Sequence, residues 1–150
     1  MSDVIDNGRL DWGIKESFRA YLEMVPDASI EVSNGATVTA AGSFSFPLEE
    51  ASATDGRMVL DFGGTVTATA HGGELSVLVS RPQVVLTEAD GLLRMREGDL
   101  DVAHLREVER SAGVVTAACE LSAEGESWLL PGYYQAGELL DPITIVLRGG

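Results

Sequence analysis

Hydrophobic side chains follow a helical period near the start of the chain. They recur at spacings of three and four residues, as one face of an amphipathic helix requires, at Ile14, Phe18, Tyr21, Leu22 and Val25. Asp11 has the side chain of a helix N-cap, and Pro26 ends the pattern because proline lacks the N–H that a helix needs. The pattern therefore predicts a short N-terminal α-helix over residues 12–24.

From Ser29 onward, short β-branched or alternating runs replace the helical period, and each run ends in turn residues. The predicted strands are residues 30–32, 36–41, 43–48, 57–62, 65–70, 74–79, 83–87, 92–97, 100–105, 114–121 and 143–147. Turn pairs such as Asn34-Gly35 divide them at intervals typical of antiparallel hairpins. The sequence predicts a mainly β fold, which we assign to an antiparallel two-sheet β-sandwich. A closed barrel is the alternative, since it has the same period of two.

Composition indicates a globular protein and excludes two classes of partner. The 150 residues are 45% hydrophobic and 23% charged, which predicts a single domain over residues 1–150. With 24 acidic and 10 basic residues the formal net charge is -14, and a field of that sign repels nucleic acid and anionic lipid. No apolar run approaches the roughly 18 residues of a membrane helix. We therefore expect neither nucleic acid binding nor membrane insertion.

Two further features bear on covalent chemistry and on location. Cys119 is the one cysteine, and its strand-like run predicts a buried apolar side chain without an internal disulfide. The Cys-x-x-Cys-His sequence that attaches c-type haem is missing, so any cofactor is held noncovalently. The first ten residues, MSDVIDNGRL, lack the basic and apolar regions of a secretory signal, which predicts a cytoplasmic protein. If an export signal was removed, we expect the cell surface or secretion.

Motifs of the common enzyme classes are missing. Two histidines, His71 and His104, are too few for a three-histidine zinc site, and neither belongs to a His-Glu-x-x-His helix. The sequence has no Gly-rich phosphate loop followed by lysine and no Gly-x-Ser-x-Gly turn. Among 24 acidic residues, neighbouring carboxylates arise by chance, so they do not indicate a glycosidase. We expect a binding protein and not an enzyme.

The most informative side chains lie on the predicted helix and just after one predicted strand. Tyr21 follows Ser17 by one helical turn and Phe18 by three residues, so all three can line one wall of a pocket. His71 stands between the strand over residues 65–70 and a Gly-Gly turn, from where a side chain can reach a neighbouring helix. Core packing of Tyr21 and surface exposure of His71 are the alternatives.

Three segments carry further motifs in a fixed order. They are residues 10–21 (LDWGIKESFRAY), residues 62–75 (FGGTVTATAHGGEL) followed by Ser80-Arg81-Pro82, and residues 132–145 (GYYQAGELLDPITI). In this order they resemble the HtaA haem-transport domain of actinobacteria. The shared features are an aromatic-glycine start with Glu-Ser-Phe and Tyr, a strand ending in histidine-glycine, and a close of tyrosine, Ala-Gly and Asp-Pro. The resemblance covers about residues 8–147.

The resemblance implies a β-rich sandwich with a short helix that binds haem through a tyrosine whose hydroxyl a histidine supports. On this sequence it implies Tyr21 as the ligand of iron in noncovalent ferric haem b, with His71 as its partner. We expect Ser17, Arg19 or backbone N–H groups to bind the haem propionates, although Arg19 lies on another side of the helix and solvent exposure is favoured for it. Phe18 is expected to contact the apolar porphyrin.

Five further residues are candidate neighbours or alternative ligands of the predicted haem. Leu22 and Met24 are apolar candidates beside the porphyrin. Tyr133 and Tyr134 are alternative ligands of the iron, although packing at the core or an edge is favoured for both. His104 is assigned to the surface.

The implied function is haem uptake, relay or storage, with another haem-binding protein as donor or acceptor. One alternative is a β-sandwich protein-interaction domain that has lost haem binding. The other is a haem-degrading or peroxide-using enzyme.

Overall fold

The structure, a computed structural model, describes residues 8–129 and 134–147, and most of these lie in strands. The strands are β1 (Gly8–Trp12), β2 (Ser29–Ser33), β3 (Thr37–Val38), β4 (Phe44–Thr54), β5 (Arg57–Phe62), β6 (Thr65–Ala70), β7 (Leu75–Ser80), β8 (Pro82–Leu86), β9 (Gly91–Met95), β10 (Leu100–Ser111), β11 (Val114–Leu121) and β12 (Leu139–Leu147). The helices are α1 (Glu16–Glu23) and α2 (Gly125–Trp128), and His71–Gly73 form a 3-10 turn. Within these described ranges, no helix is long and apolar enough to cross a membrane.

In the described part of the chain, eight strands close into an antiparallel barrel. Their order is β1-β12-β11-β10-β9-β8-β5-β4, and β4 then pairs with β1. Closure depends on β1, since Leu10 lies opposite Ile145 of β12 on one side and opposite Phe46 of β4 on the other. The short strand β3 also pairs with β4. Among the same residues, β2, β6 and β7 form a separate three-stranded sheet in the order β2-β6-β7.

The predicted two-sheet β-sandwich is wrong, because the large sheet closes on itself. Alternation of buried and exposed positions is the same in both architectures, so the sequence pattern does not separate them. The double pairing of β1 decides the matter, whereas the sequence pattern predicts no strand before Ser29 and assigns Trp12 to the helix. In the structure Leu10 and Trp12 are buried, and Arg9 Nε donates to Asp11 Oδ2 at 3.1 Å.

Several strand predictions are confirmed, and the errors fall at strand ends. Three predicted strands match β5, β6 and β11 to the residue. β10 continues to Ser111, well beyond the predicted end at Leu105. The predicted strand over residues 36–41 shrinks to β3 because the chain turns back early, with the Thr39 N–H donating to the Ser43 carbonyl oxygen at 2.9 Å.

Buried side chains from both sheets form one core. Members from the barrel include Phe46 and Phe62, and members from the three-stranded sheet include Val66 and Val79. The barrel and the smaller sheet are therefore packed together through apolar contacts. Cys119 is buried in β11, as predicted, and burial raises the pKa of its thiol.

The two outer strands of the smaller sheet differ in how they are covered. Trp128 of α2 donates from Nε1 to the Leu78 carbonyl oxygen of β7 at 2.7 Å and stacks on Trp12, with ring centroids 6.1 Å apart and planes 11° apart. All five residues of β2 are exposed, and its ladder partner within the described residues is β6 alone. The α2 side of the sheet is thus covered, whereas β2 is an edge strand.

The helix α1 is shorter than predicted. It begins at Glu16 and not at Trp12, because Trp12 belongs to β1 and Ile14 has a positive φ of 69° that an α-helix does not contain. The predicted N-cap, Asp11, is wrong for the same reason, since it is part of β1. The helix ends at Glu23, close to the predicted end.

Asp141 of β12, which is far from α1 in the sequence, contacts the start of the helix directly. Its Oδ1 accepts the Glu16 N–H at 2.9 Å, and its Oδ2 accepts the Arg19 guanidinium at 3.1 Å. Its backbone oxygen accepts Trp12 Nε1–H at 2.9 Å. A carboxylate at this end of a helix also faces the positive end of the helix dipole. The Asp141 contacts therefore tie α1 to the barrel.

Replacing Leu10 with alanine tests barrel closure. Leu10 is 0% exposed, so Leu10→Ala leaves a cavity between three paired strands and should lower the free energy of unfolding by about 2–5 kcal/mol. Urea denaturation measures the change. Val38→Ala, at a position 54% exposed on β3, is the control and should change it by less than about 0.5 kcal/mol. Equally small effects of the two substitutions would contradict closure through β1.

Candidate functional site

Tyr21 and His71, which are 50 residues apart in the sequence, meet in the structure. Tyr21 Oη and His71 Nε2 are hydrogen-bonded at 2.5 Å, and the ring centroids are 6.0 Å apart with planes tilted by 53°. Either ring can donate, depending on which imidazole nitrogen carries the proton. Because Phe18 and Leu22 form the buried side of α1, Tyr21 lies at the edge of that side, next to the turn that carries His71.

The two rings line an open groove with a volume of about 540 Å³. Its other walls come from the end of α1 and the turn after it, at Met24, Val25, Pro26 and Asp27. Tyr21 is 38% exposed and Met24 82% exposed, so a phenol and a thioether side chain face solvent together. The volume is within the range of roughly 300–1,000 Å³ that is usual for ligand sites, and a mainly apolar lining with few polar atoms is typical of them.

The backbone at His71 has an uncommon conformation that Asp27 stabilises. His71 has a φ of 56° and Gly72 a φ of 67°, so two successive residues are in the left-handed region. The Asp27 carboxylate accepts both N–H groups, from His71 at 3.0 Å and from Gly72 at 2.7 Å. These two hydrogen bonds, that from His71 first, hold the pKa of Asp27 below its ordinary value. The carboxylate thus connects the turn after α1 to the turn after β6.

A group of hydrogen-bond donors lies one helical turn before Tyr21. Ser17 Oγ and Tyr134 Oη are 3.1 Å apart. Lys15 Nζ lies 5.6 Å from the centroid of the Tyr134 ring and donates to the Leu139 carbonyl oxygen at 2.5 Å. Two hydroxyls and one ammonium therefore come together at the start of α1, which is a suitable arrangement for a carboxylate.

A model of the protein family Htaa matches residues 7–146, which is nearly the whole chain. The chain belongs to the HtaA family. The resemblance of residues 10–21, 62–75 and 132–145 to this family is thereby confirmed. None of the curated proteins is a match for the sequence.

Solved structures of HtaA domains and of HtaB from Corynebacterium glutamicum share the fold of this HtaA domain. The C-terminal domain of HtaA has a TM-score of 0.80 at 22% identity, over 93% of this chain and 94% of that one. The N-terminal domain has a TM-score of 0.79 at 23% identity, over 95% and 97%. Heme binding protein HtaB has a TM-score of 0.67 at 23% identity, over 95% and 96%. At these identities the likeness shows a common fold.

Three residues that were candidates for the site, Phe18, Leu22 and Arg19, are absent from the groove lining and make other contacts. Phe18 is 1% exposed and Leu22 is also buried, so both hold α1 on the core and neither is part of the groove lining. Arg19 donates from Nε to the Gly13 carbonyl oxygen at 3.2 Å and from its terminal nitrogen to Asp141. Its guanidinium therefore serves the start of the helix.

None of the three alternative iron ligands that the sequence suggested is described in the groove lining. Tyr134 is half-buried, and its hydroxyl contacts Ser17 Oγ. Tyr134 is not among the residues that line the groove. His104 is half-buried on β10, opposite Glu120 of β11. Tyr133 lies outside the described residues. Among those that are described, no group of three or more His, Cys, Asp or Glu side chains could hold a metal ion.

Asp27 and the contact between Ser17 and Tyr134 were not predicted from the sequence. Asp27 follows the proline that ends α1, where aspartate is a common turn residue, so it gives no distinct signal. Its partners are 44 and 45 residues further along the chain. A contact over that distance is visible only once β6 and α1 have been placed side by side.

The Asp27 contacts give a pH dependence of stability. Because its folded-state pKa lies below the ordinary value of 3.8, the carboxylate contributes stability above pH 3.8 and loses it as pH falls through the lowered pKa. Asp27→Asn keeps only one acceptor oxygen. We expect it to unfold at lower urea concentration than the wild type at neutral pH, and the difference to disappear in strong acid. A difference that is unchanged in strong acid would contradict an ionised Asp27.

Proposed function

We propose that this HtaA domain binds ferric haem b noncovalently, with Tyr21 as the iron ligand and His71 as the hydrogen-bond partner of the ligand oxygen. The observation that carries the proposal is the hydrogen bond between Tyr21 Oη and His71 Nε2 at an open apolar groove. Membership of the HtaA family supports it, and so does the fold shared with heme binding protein HtaB.

The phenol of Tyr21 is chemically suited to ferric iron. A free phenol loses its proton only at about pH 10, so it becomes an oxygen anion at neutral pH when a hard cation displaces the proton. His71 Nε2 can accept the phenolic hydrogen before binding and donate to the phenolate afterwards. Acid protonates the phenolate and reduction softens the iron, and either change loosens the bond. A site of this kind releases its ligand without unfolding.

The shape of the groove supports a role in transfer. Burial of apolar surface contributes roughly 25 cal/mol per Å², so the flat porphyrin gains affinity wherever it covers Tyr21 and Met24. The groove is open, which leaves the far side of a bound porphyrin within reach of another protein. We therefore propose haem uptake, relay or storage, with a second haem-binding protein as donor or acceptor. The cytoplasmic location stays a prediction.

Local donors at the start of α1 are proposed to hold the haem propionates. At a net charge of -14 the protein as a whole repels an anionic ligand, so the propionates need nearby donors. Ser17 and Tyr134 carry two hydroxyls 3.1 Å apart, and Lys15, the single lysine of the sequence, lies beside the Tyr134 ring. Ser17 is one turn before Tyr21 on the same helix, so iron ligand and propionate partners lie along one face.

Binding is favoured over catalysis. Peroxide or haem-degrading chemistry needs acid and base groups that move protons at a reacting oxygen. In the described lining of the groove, Asp27 is the one ionisable side chain besides Tyr21 and His71. Both of its oxygens already accept backbone N–H groups. The arrangement therefore supports holding a ligand in place.

Substitutions of Tyr21 and His71 test the iron ligand. Wild-type protein titrated with hemin should give a shifted Soret band and a charge-transfer band at the red end of the spectrum. Tyr21→Phe keeps the ring and removes the oxygen, so both features of iron ligation should be lost. His71→Ala removes one hydrogen bond to a charged oxygen, so affinity should fall about tenfold or more, with an altered spectrum.

Matched substitutions elsewhere are the controls for this titration. Tyr133→Phe and His104→Ala change the same residue types and should leave the spectrum as in the wild type. Unchanged spectra in Tyr21→Phe would show that another side chain is the iron ligand. A wild-type protein without any Soret shift would favour an interaction domain that has lost haem, and turnover of peroxide above the background of free hemin would favour an enzyme.

An esterified ligand tests the propionate site. Ser17→Ala and Tyr134→Phe each remove one hydroxyl, so each should weaken hemin binding about threefold to tenfold. Hemin dimethyl ester has no propionate charge, and its affinity should respond far less to both substitutions. Equal losses for hemin and its ester would show that these hydroxyls act on something other than the propionates.

A further inference from the structure

We infer that Asp27 is a positioning residue of this site, whose carboxylate fixes the backbone of His71 so that the imidazole points at the Tyr21 hydroxyl. The inference rests on the proposed function, since it concerns how the partner of the iron ligand is held. Asp27 is not in hydrogen-bond contact with either ring. It acts on the N–H groups of His71 and Gly72, and through them on Tyr21.

The geometry of the turn shows why a carboxylate is needed there. Successive backbone N–H groups converge on one point when the residues that carry them leave the extended and right-handed regions, and such concave sites bind anions. His71 and Gly72 both have positive φ, and each Asp27 oxygen accepts one of their N–H groups. Left-handed backbone is uncommon for a residue with a side chain, so His71 holds this conformation with outside support.

Asp27 is itself tied to the helix that carries Tyr21. The Val25 N–H donates to the Leu22 carbonyl oxygen at 3.2 Å, and the Ala28 N–H donates to the Val25 carbonyl oxygen at 3.1 Å. Two consecutive turns thus continue from the end of α1 through Asp27. The carboxylate therefore links the end of the Tyr21 helix to the His71 turn.

The His71 turn has little other support. Within its own 3-10 turn, the Glu74 N–H donates to the His71 carbonyl oxygen at 3.2 Å. A Cβ added at Gly72 or Gly73 would meet nothing within 4 Å, so open space lies beside both glycines. Without Asp27, the chain after β6 can rotate away, and the imidazole moves with it. The contact to Tyr21 then has to be made from a range of backbone conformations.

Amide signals of the ligand-free protein test the contact directly. In the wild type, the His71 and Gly72 amide protons should exchange slowly with solvent, and the His71 ring nitrogens should show one hydrogen-bonded environment by NMR. Asp27→Ala should speed exchange of both amides and shift the ring nitrogens towards those of free imidazole. Asp27→Asn, which keeps one acceptor oxygen, should lie between the two. Unchanged ring signals in both variants would overturn the inference.

Haem release provides the second measurement. We expect Asp27→Ala to release hemin to excess apomyoglobin about threefold to tenfold faster than the wild type, as the loss of one or two hydrogen bonds implies. Glu23→Gln is the matched control. Glu23 is exposed on α1, and no side-chain hydrogen bond or ion pair involves it in the described residues, so removing its charge should leave the release rate unchanged.

A double substitution shows whether Asp27 acts through His71. If it does, Asp27→Ala combined with His71→Ala releases hemin no faster than His71→Ala alone. If Asp27→Ala accelerates hemin release in the His71→Ala background as much as it does in the wild type, the inference is overturned, because the carboxylate then acts elsewhere. Failure of the wild type to bind hemin would overturn the proposed function together with the inference, whereas normal binding with unchanged release from Asp27→Ala would overturn the inference alone.

Discussion

An eight-residue helix is not stable on its own in water, so α1 keeps its shape only through contacts with the rest of the molecule. Phe18 and Leu22 bury one side of it, and Asp141 of β12 holds its first turn through a backbone N–H and a guanidinium. At the other end, the turn with Asp27 reaches the segment after β6. Tyr21 lies between these two attachments. Its hydroxyl therefore has a defined place although the side chain is partly exposed.

Local signals in the sequence were sufficient for the parts of the site that lie within one element. The spacing of Phe18 and Leu22 predicts the buried side of α1 with Tyr21 on the same face, and the alternation of β6 predicts that strand to the residue. His71 could be placed at the end of that strand. The contact between Tyr21 and His71 did not follow from these patterns, because it depends on where α1 is placed relative to the three-stranded sheet, and only the family resemblance implied it.

Features that join distant segments could not be predicted for the same physical reason. The barrel closes through β1, whose alternation is too short to stand out, and Leu10 pairs with Phe46 and Ile145, which lie 36 and 135 residues further along the chain. The side chain that accepts the Glu16 N–H at the start of α1 is that of Asp141, 125 residues away, and not that of the neighbouring Asp11. Asp27 similarly accepts backbone N–H groups from the turn between β6 and β7 of the three-stranded sheet. Propensity and periodicity report what a segment prefers by itself, whereas these contacts depend on the assembled fold.

The smaller sheet ends at β2, an exposed strand whose one ladder partner within residues 8–129 and 134–147 is β6. Such an edge is a template on which another chain can add a strand. At a net charge of -14, two copies that approach each other are pushed apart, but over a distance of only about 8 Å at physiological ionic strength. The colloidal behaviour of the protein therefore depends on its buffer: dilute salt preserves the repulsion between monomers, and concentrated salt removes the barrier to oligomers joined edge to edge.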